Sequence, residues 1–272
     1  MTVAPFARRW VSVIPRIPGS LILFWLLLAL LGPVLAPFAP GEVVSRTVFA
    51  PISAHHLLGT DYLGRDVLSR LLCGTGSTVL LCAATTVLAC TGGVFLGIIA
   101  ALKQGLTDTL LSRFMDGVIS IPSLLSALVA VAAFGSSVPV LVLAMSLIYM
   151  PGSYRTCRML ALSIVRRDFV LAAQMRGEKS GYIVLREVLP NMTGPVMADV
   201  GLRFIYAVRL LSNLSFLGVG LQPPLTDLGS LTRENLLGLV YGAPAVIAPA
   251  LTIAVLTVGL NLALDSYKGK AG

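Results

Sequence analysis

Charge is scarce in this sequence. Only 12% of its 272 residues are charged, 12 acidic and 20 basic, where a soluble domain carries about 25%. So few ionic side chains cannot clothe one compact domain in a polar shell, which excludes water as the main solvent. Phosphate-loop chemistry is absent too: Gly74-Thr-Gly-Ser-Thr78 lacks the lysine that would reach a nucleotide's phosphates. No zinc-protease helix, no nucleophile elbow and no carboxylate pair inside an apolar run is present, which excludes an intramembrane enzyme and leaves no catalytic residue to nominate. The four cysteines, Cys73, Cys82, Cys90 and Cys157, form no C-x-x-C pair and read as small apolar residues rather than disulfides or metal ligands. His55 and His56 are adjacent, so their side chains diverge in an extended loop. With no cysteine or acidic partner to complete a shell, they point to structure and not to a metal site.

What fills the chain is hydrophobic residue, 56% of the total, with a mean hydropathy of +0.90. Counting apolar stretches of about 20 residues gives six windows, centred near residues 29, 88, 124, 149, 202 and 254. The expected fold class is therefore an all-α membrane protein with six transmembrane helices. The expected organisation is an N-terminal segment at 1–17, a first span at 18–40, an extracytoplasmic segment at 41–74 and a five-helix core at 75–265. Within that core lie an inner loop at 161–190 and an outer loop at 215–242, and 266–272 form a tail.

The net charge of +8 does not signal nucleic acid, because the basic residues sit in short blocks between apolar runs. With the N-terminus placed in the cytoplasm, only Arg46, Arg65, Arg70 and Arg233 fall in outer segments, while Arg203 and Arg209 lie inside the fifth window. That bias predicts both termini on the cytoplasmic side. Arg8, Arg9 and Arg16 before the apolar run 21–31 look like the charged start of a secretory signal. No clean A-x-A site follows, and Pro33, Pro37 and Pro40 mark a helix end, so an uncleaved first span is expected. Gly93 and Gly97 form a small-xxx-small pair, read either as a close helix approach or as ordinary glycine tolerance in lipid.

The inner loop is the functional lead. Arg166-Arg167-Asp168 precedes a run of helix formers, 169–176, with Asp168 placed as N-cap and Gly177 just beyond the C-cap. Ser180 can cap a second short helix, 181–189, and Pro190 marks its boundary with the fifth span. The first helix offers Phe169, Ala172, Ala173 and Met175 as a small apolar face, suited to a groove on a soluble partner or to rest on lipid headgroups.

Leu171-Ala-Ala-Gln-Met-Arg-Gly177, followed by Val188-Leu-Pro-Asn191, resembles the "EAA" loop of ABC importer permeases. Ala172, Ala173, Gly177, Leu189 and Pro190 match that motif, whereas Leu171 stands where the family has an acidic residue. The resemblance implies a coupling helix seated in a cleft of an ATP-hydrolysing partner. Three further stretches resemble the dipeptide, oligopeptide and nickel branch: His56-Leu-Leu-Gly-Thr-Asp-Tyr-Leu-Gly-Arg-Asp66, Ser215-Phe-Leu-Gly-Val-Gly-Leu-Gln-Pro-Pro224 and Asn261-Leu-Ala-Leu-Asp265. Physically, Gly59 and Gly64 permit tight turns, while Asp61, Arg65 and Asp66 can lock a loop through charge-assisted bonds. These residues then either cap the outer mouth or meet cargo directly.

Inside the fifth window Asp199 and Arg203 stand one helical turn apart and can pair. With Arg209 they either line a translocation path, where Arg203 or Arg209 contacts an anionic group of the cargo, or form a buried structural pair at the subunit interface. The resemblance implies the type I ABC importer permease fold. It also implies a heterodimer with a sister permease, one or two ATP-binding subunits holding ATP and Mg, an extracytoplasmic substrate-binding protein, and no cofactor on this chain. An ion-coupled secondary transporter is the competing reading, but it normally needs internal repeats and midplane carboxylates. A structural assembly subunit is a third, and it would not need the glycine elbow. For cargo, Leu171 and Leu211 lean slightly toward a metal or metal chelate over peptides.

Overall fold

A computed structural model describes residues 17–241 and 244–268. The expected N-terminal segment with Arg8, Arg9 and Arg16, the side chain of Asp265 and the end of the tail lie outside the described residues. Those described are helical, with no strand and only two isolated β-bridges, Val43 with Arg65 and Thr60 with Asp66. In chain order the helices are α1 (Ile17–Leu35), α2 (Val67–Lys103), α3 (Gly105–Ser120), α4 (Ser123–Phe134), α5 (Val138–Val165), α6 (Asp168–Met175), α7 (Thr193–Phe216), α8 (Leu228–Glu234) and α9 (Pro244–Lys268).

Three of these, α2, α5 and α9, are long and apolar enough to cross a membrane. The α3/α4 pair, bent by 87°, makes a fourth if it counts as one span, and α1 holds an apolar stretch at Leu23–Leu35 within its 19 residues. The expected six are thus only partly accounted for, and two of the differences have physical causes. Pro122, which has no N–H to extend a helix, breaks the third window at Ile121. The fifth window, α7, contains Asp199, Arg203 and Arg209 and so is too charged to pass as a span on composition.

The chain folds as two compact units. One takes its described residues from Met1–Cys82, Phe134–Val138 and Val208–Gly272, the other from Ala83–Ala133 and Pro139–Ala207. In the first, α2 begins at Val67, inside the expected loop 41–74, because Asp66 caps it. The Asp66 carboxylate accepts the Ser69 backbone N–H at 2.8 Å and its hydroxyl at 2.7 Å, and His56 Nδ1 lies 3.2 Å away on the other oxygen. Gly64 holds the turn before this cap at φ +76°, with no room for a Cβ beside the Ser45 carbonyl.

In the second unit α2 and α5 touch through their backbones. A Cβ on Gly93 would stand 2.7 Å from the Tyr154 nitrogen, and one on Gly97 would stand 2.9 Å from the Tyr154 oxygen. The small-xxx-small pair is therefore a close helix approach. Around it lies a core of Val94, Ile98, Cys157, Ala161, Ile164 and Val188.

Candidate functional site

The elbow between α5 and α7 is built locally. α6 starts after Arg167, which holds the N-cap position in an extended conformation. Asp168 is the first helical residue and makes no side-chain cap bond, a correction to its expected place as the cap. From there its carboxylate still favours the positive end of the helix dipole. At the other end Gly177, at φ +79°, closes a Schellman turn, its N–H donating to Gln174 and the Glu178 N–H donating to Ala173 at 3.2 Å.

The expected apolar face is divided. Ala173 and Val170 are buried against Ile183, Val184 and Val188, so Ala173 belongs to the core. Phe169, Leu171 and Met175 remain exposed, Met175 at 83%, with Ala172 between the two faces. The second helix begins after Lys179 rather than with Ser180 as its cap, and Pro190 does not end it. Residues 180–192 pass from α through a π stretch (Ile183–Val188) to a 3-10 turn (Leu189–Met192) and run directly into α7. The π register lets the Leu189 N–H reach the Val184 carbonyl, and the Asn191 side chain donates to the Glu187 oxygen at 2.6 Å. Pro190 sits at the start of the 3-10 turn, where its missing N–H disrupts little.

Asp199 and Arg203 do pair, at 2.9 Å along α7. Both are sequestered: their side chains are 4% and 13% exposed, and the guanidinium lies over the Tyr206 ring and against Gly152 of α5. Asp199 Oδ2 and Arg203 Nε find no further hydrogen-bond partner among the described residues. Arg209, by contrast, is exposed.

The segment 56–66 forms a knot of ion pairs. Asp61 accepts the backbone N–H groups of Leu63 and Arg65, the Arg65 Nε at 2.7 Å and a guanidinium nitrogen of Arg70 at 2.5 Å. Glu234, at the end of α8, accepts from Arg65 at 3.3 Å and Arg70 at 3.0 Å. Gly59, at φ +72°, turns the chain into this knot. Sequence reasoning left out Arg70, nine positions from Asp61 but outside the motif, and also Glu234 and Asn235, whose amide oxygen receives the Tyr62 N–H, because these two lie more than 160 positions from the segment they bind. It also missed Asp227. This buried carboxylate caps α8, accepting the Gly229 and Ser230 N–H groups and the Ser215 hydroxyl at 2.8 Å, with Ser230 completing a capping box. The nearby S-F-L-G motif was visible, but not what its serine binds.

Burial pushes the Asp227 carboxyl above its ordinary range, against the opposing pull of the Ser215 hydroxyl and the Ser230 and Gly229 donors. The folded state thus holds this proton more tightly than the unfolded state. The resulting stability is present at acid pH and is lost as pH rises through the raised value. Asp227→Asn keeps an accepting oxygen for α8 and removes the titration. Its melting temperature should lie nearest the wild type at about pH 4 and rise relative to it toward neutrality. A gap that stays constant across a pH series of melts would contradict this.

Residues 93–268 match the family described as binding-protein-dependent transport system inner membrane component. A di/tripeptide transport system permease protein of Pseudomonas aeruginosa is 32% identical over 276 residues, covering 97% of this chain and 91% of its own length. The dipeptide transport system permease protein of Escherichia coli K12 is 34% identical over 269 residues, with 97% and 89% covered. That of Haemophilus influenzae is 30% identical over 254 residues, with 91% and 86% covered. A crystal structure of an amino acid ABC transporter with histidines aligns at 18% identity and a TM-score of 0.46, over 71% of this chain and 92% of its own.

Proposed function

The chain belongs to the family of binding-protein-dependent transport system inner membrane components, and from that premise we propose that it is the permease subunit of an ATP-driven importer of short peptides. Its relatives are transport permeases and not enzymes. Their names favour peptides, and nothing beyond Leu171 and Leu211 favours a metal or metallophore cargo. In this reading the spans are α1, α2, the α3/α4 pair, α5, α7 and α9, with both termini on the cytoplasmic side of the inner membrane. A sister permease completes the path, one or two partner subunits hydrolyse ATP with Mg, and an extracytoplasmic binding protein delivers cargo.

The observation that carries the reading is the two-faced helix α6. Its Val170 and Ala173 are fixed in the core at the base of α7, while Phe169, Leu171 and Met175 stand free. A helix gripped on one side and apolar on the other can pass a push from a partner's groove into the spans, as alternating access requires. Asp199 and Arg203 support a structural role within the chain, in place of the expected subunit interface, since a sequestered carboxylate and guanidinium hold α7 against α5.

The test is dipeptide uptake by the reconstituted complex. Phe169→Asp together with Met175→Asp should lower uptake at least tenfold and weaken co-purification of the ATP-binding subunits, because both charges would need desolvation in the groove. Unchanged uptake and assembly would remove α6 as the coupling element. Uptake by vesicles holding this chain alone would favour the secondary-transporter reading.

A further inference from the structure

The last turns of α2 and the helical segment that follows the Gly177 elbow leave an apolar groove of about 260 Å³ between them. Ile99 and Leu102 of α2 form one wall, Val184 and Leu185 the other, and Lys103 and Ser180 are its polar members. Ile99 and Leu102 pack against the core that also holds Val184, itself 3% exposed, so the walls are fixed. Leu185, by contrast, is 53% exposed.

The position and charge of the groove say what fills it. Helix α2 is long and apolar enough to cross a membrane, and its uncharged run ends at Lys103, which places the groove where acyl chains give way to headgroups. Lys103 is exposed and pairs with no carboxylate among the described residues, and the same holds for Lys179, one residue before Ser180. The acidic residues on either side of the segment, Glu178 and Glu187, both lie against Arg176, at 3.8 and 4.0 Å. An apolar slot flanked by two uncompensated ammonium groups is complementary to an amphiphile with a hydrocarbon tail and an anionic head. We infer that the groove holds one phospholipid of the adjoining leaflet, with an acyl chain along Ile99, Leu102 and Val184 and an anionic headgroup at Lys103 and Lys179. The lipid braces the segment that joins the elbow to α7. This rests on the reading of α2 as a span, and not on the cargo or the ATP-binding partners.

The full complex in nanodiscs of equal parts phosphatidylglycerol and phosphatidylcholine tests it. A photo-crosslinking amino acid replaces Leu185 or, as the control, Val87, which is 61% exposed on α2 outside the groove. Adducts at position 185 should favour the anionic lipid at least fivefold, and those at position 87 by less than twofold. Lys103→Gln combined with Lys179→Gln should bring the ratio at 185 down to that at 87. Gly181 lines the groove with no atom within 4 Å of its Cβ position, so Gly181→Leu fills the slot without disturbing the fold and should cut the lipid adduct at 185 at least threefold. Equal ratios at the two positions would mean bulk lipid alone and would overturn the proposal. So would a preference that survives loss of both lysines, a lipid yield unchanged by Gly181→Leu, or an adduct at 185 with another subunit in place of lipid. Absence of any lipid adduct at position 87 would instead remove α2 as a span, and the proposal with it. A complex that moves no dipeptide would sink the peptide reading and leave these ratios as they are.

Discussion

Asp61→Ala is expected to destabilise the subunit by about 3–5 kcal/mol, because removing one partner of a buried ion pair leaves the other uncompensated. The abandoned partner is Arg70, whose side chain is 2% exposed, against 1% for Asp61. The same carboxylate also serves the Leu63 and Arg65 N–H groups and the Arg65 Nε, so the substitution takes an acceptor from four donors at once. Glu234 keeps one hold on Arg70 but is 19% exposed and cannot replace Asp61. In detergent the melting midpoint should fall by roughly 10 °C. Arg65→Met should do less, since Arg65 is 14% exposed and its stem can still cover Tyr62. The double variant Asp61→Ala with Arg70→Met should be less damaged than the two single losses added together, because no unpaired charge remains. Additive losses would show that Asp61 acts through its backbone contacts alone.

Gly93→Leu should separate α2 from α5. The atoms that a side chain would meet there are the Tyr154 nitrogen at 2.7 Å and the Met150 oxygen at 2.8 Å, and backbone cannot rotate aside as a side-chain tip can. The cost is about 3 kcal/mol, at the upper end for overpacking, and Gly97→Val should behave alike. The expected readouts are a lower melting midpoint and faster thiol modification of Cys157, which is fully buried beside Gly97. Gly117→Ala on α3 is the control. No atom lies within 4 Å of its Cβ position, so it should gain about 0.5–1 kcal/mol from helix propensity. Equal behaviour of Gly93 and Gly117 variants would contradict the close approach.

The parts of the structure legible in the sequence are those that depend on one residue's backbone. Gly177 predicts the elbow because a helix stop at positive φ needs it, and apolar windows predict α2, α5 and α9 because length and hydropathy suffice. Asp61 and Arg65 were visible as charges placed to meet, since they are four residues apart. Arg70 was not, because a lone arginine four residues past a motif reads as loop until Glu234 arrives from the other end of the chain. Asp168 was misplaced by one position, a shift that no pattern resolves at a helix start. Pro190 was read as a boundary because proline normally ends a helix. A change of hydrogen-bond register around Leu189 lets the helix pass, and such a change leaves no trace in composition.

Helix α2 is 37 residues long, roughly 55 Å at the α-helical rise, against a hydrocarbon thickness of about 30 Å. Residues 71–102, between Arg70 and Lys103, carry no charge. The helix therefore has slack: the bilayer can slide along it by several turns before either charged end is drawn into the acyl chains. Hydrophobic mismatch then falls on the uncharged glycine- and threonine-rich turns of α2, and the ion knot at its start stays clear of a thicker or thinner membrane.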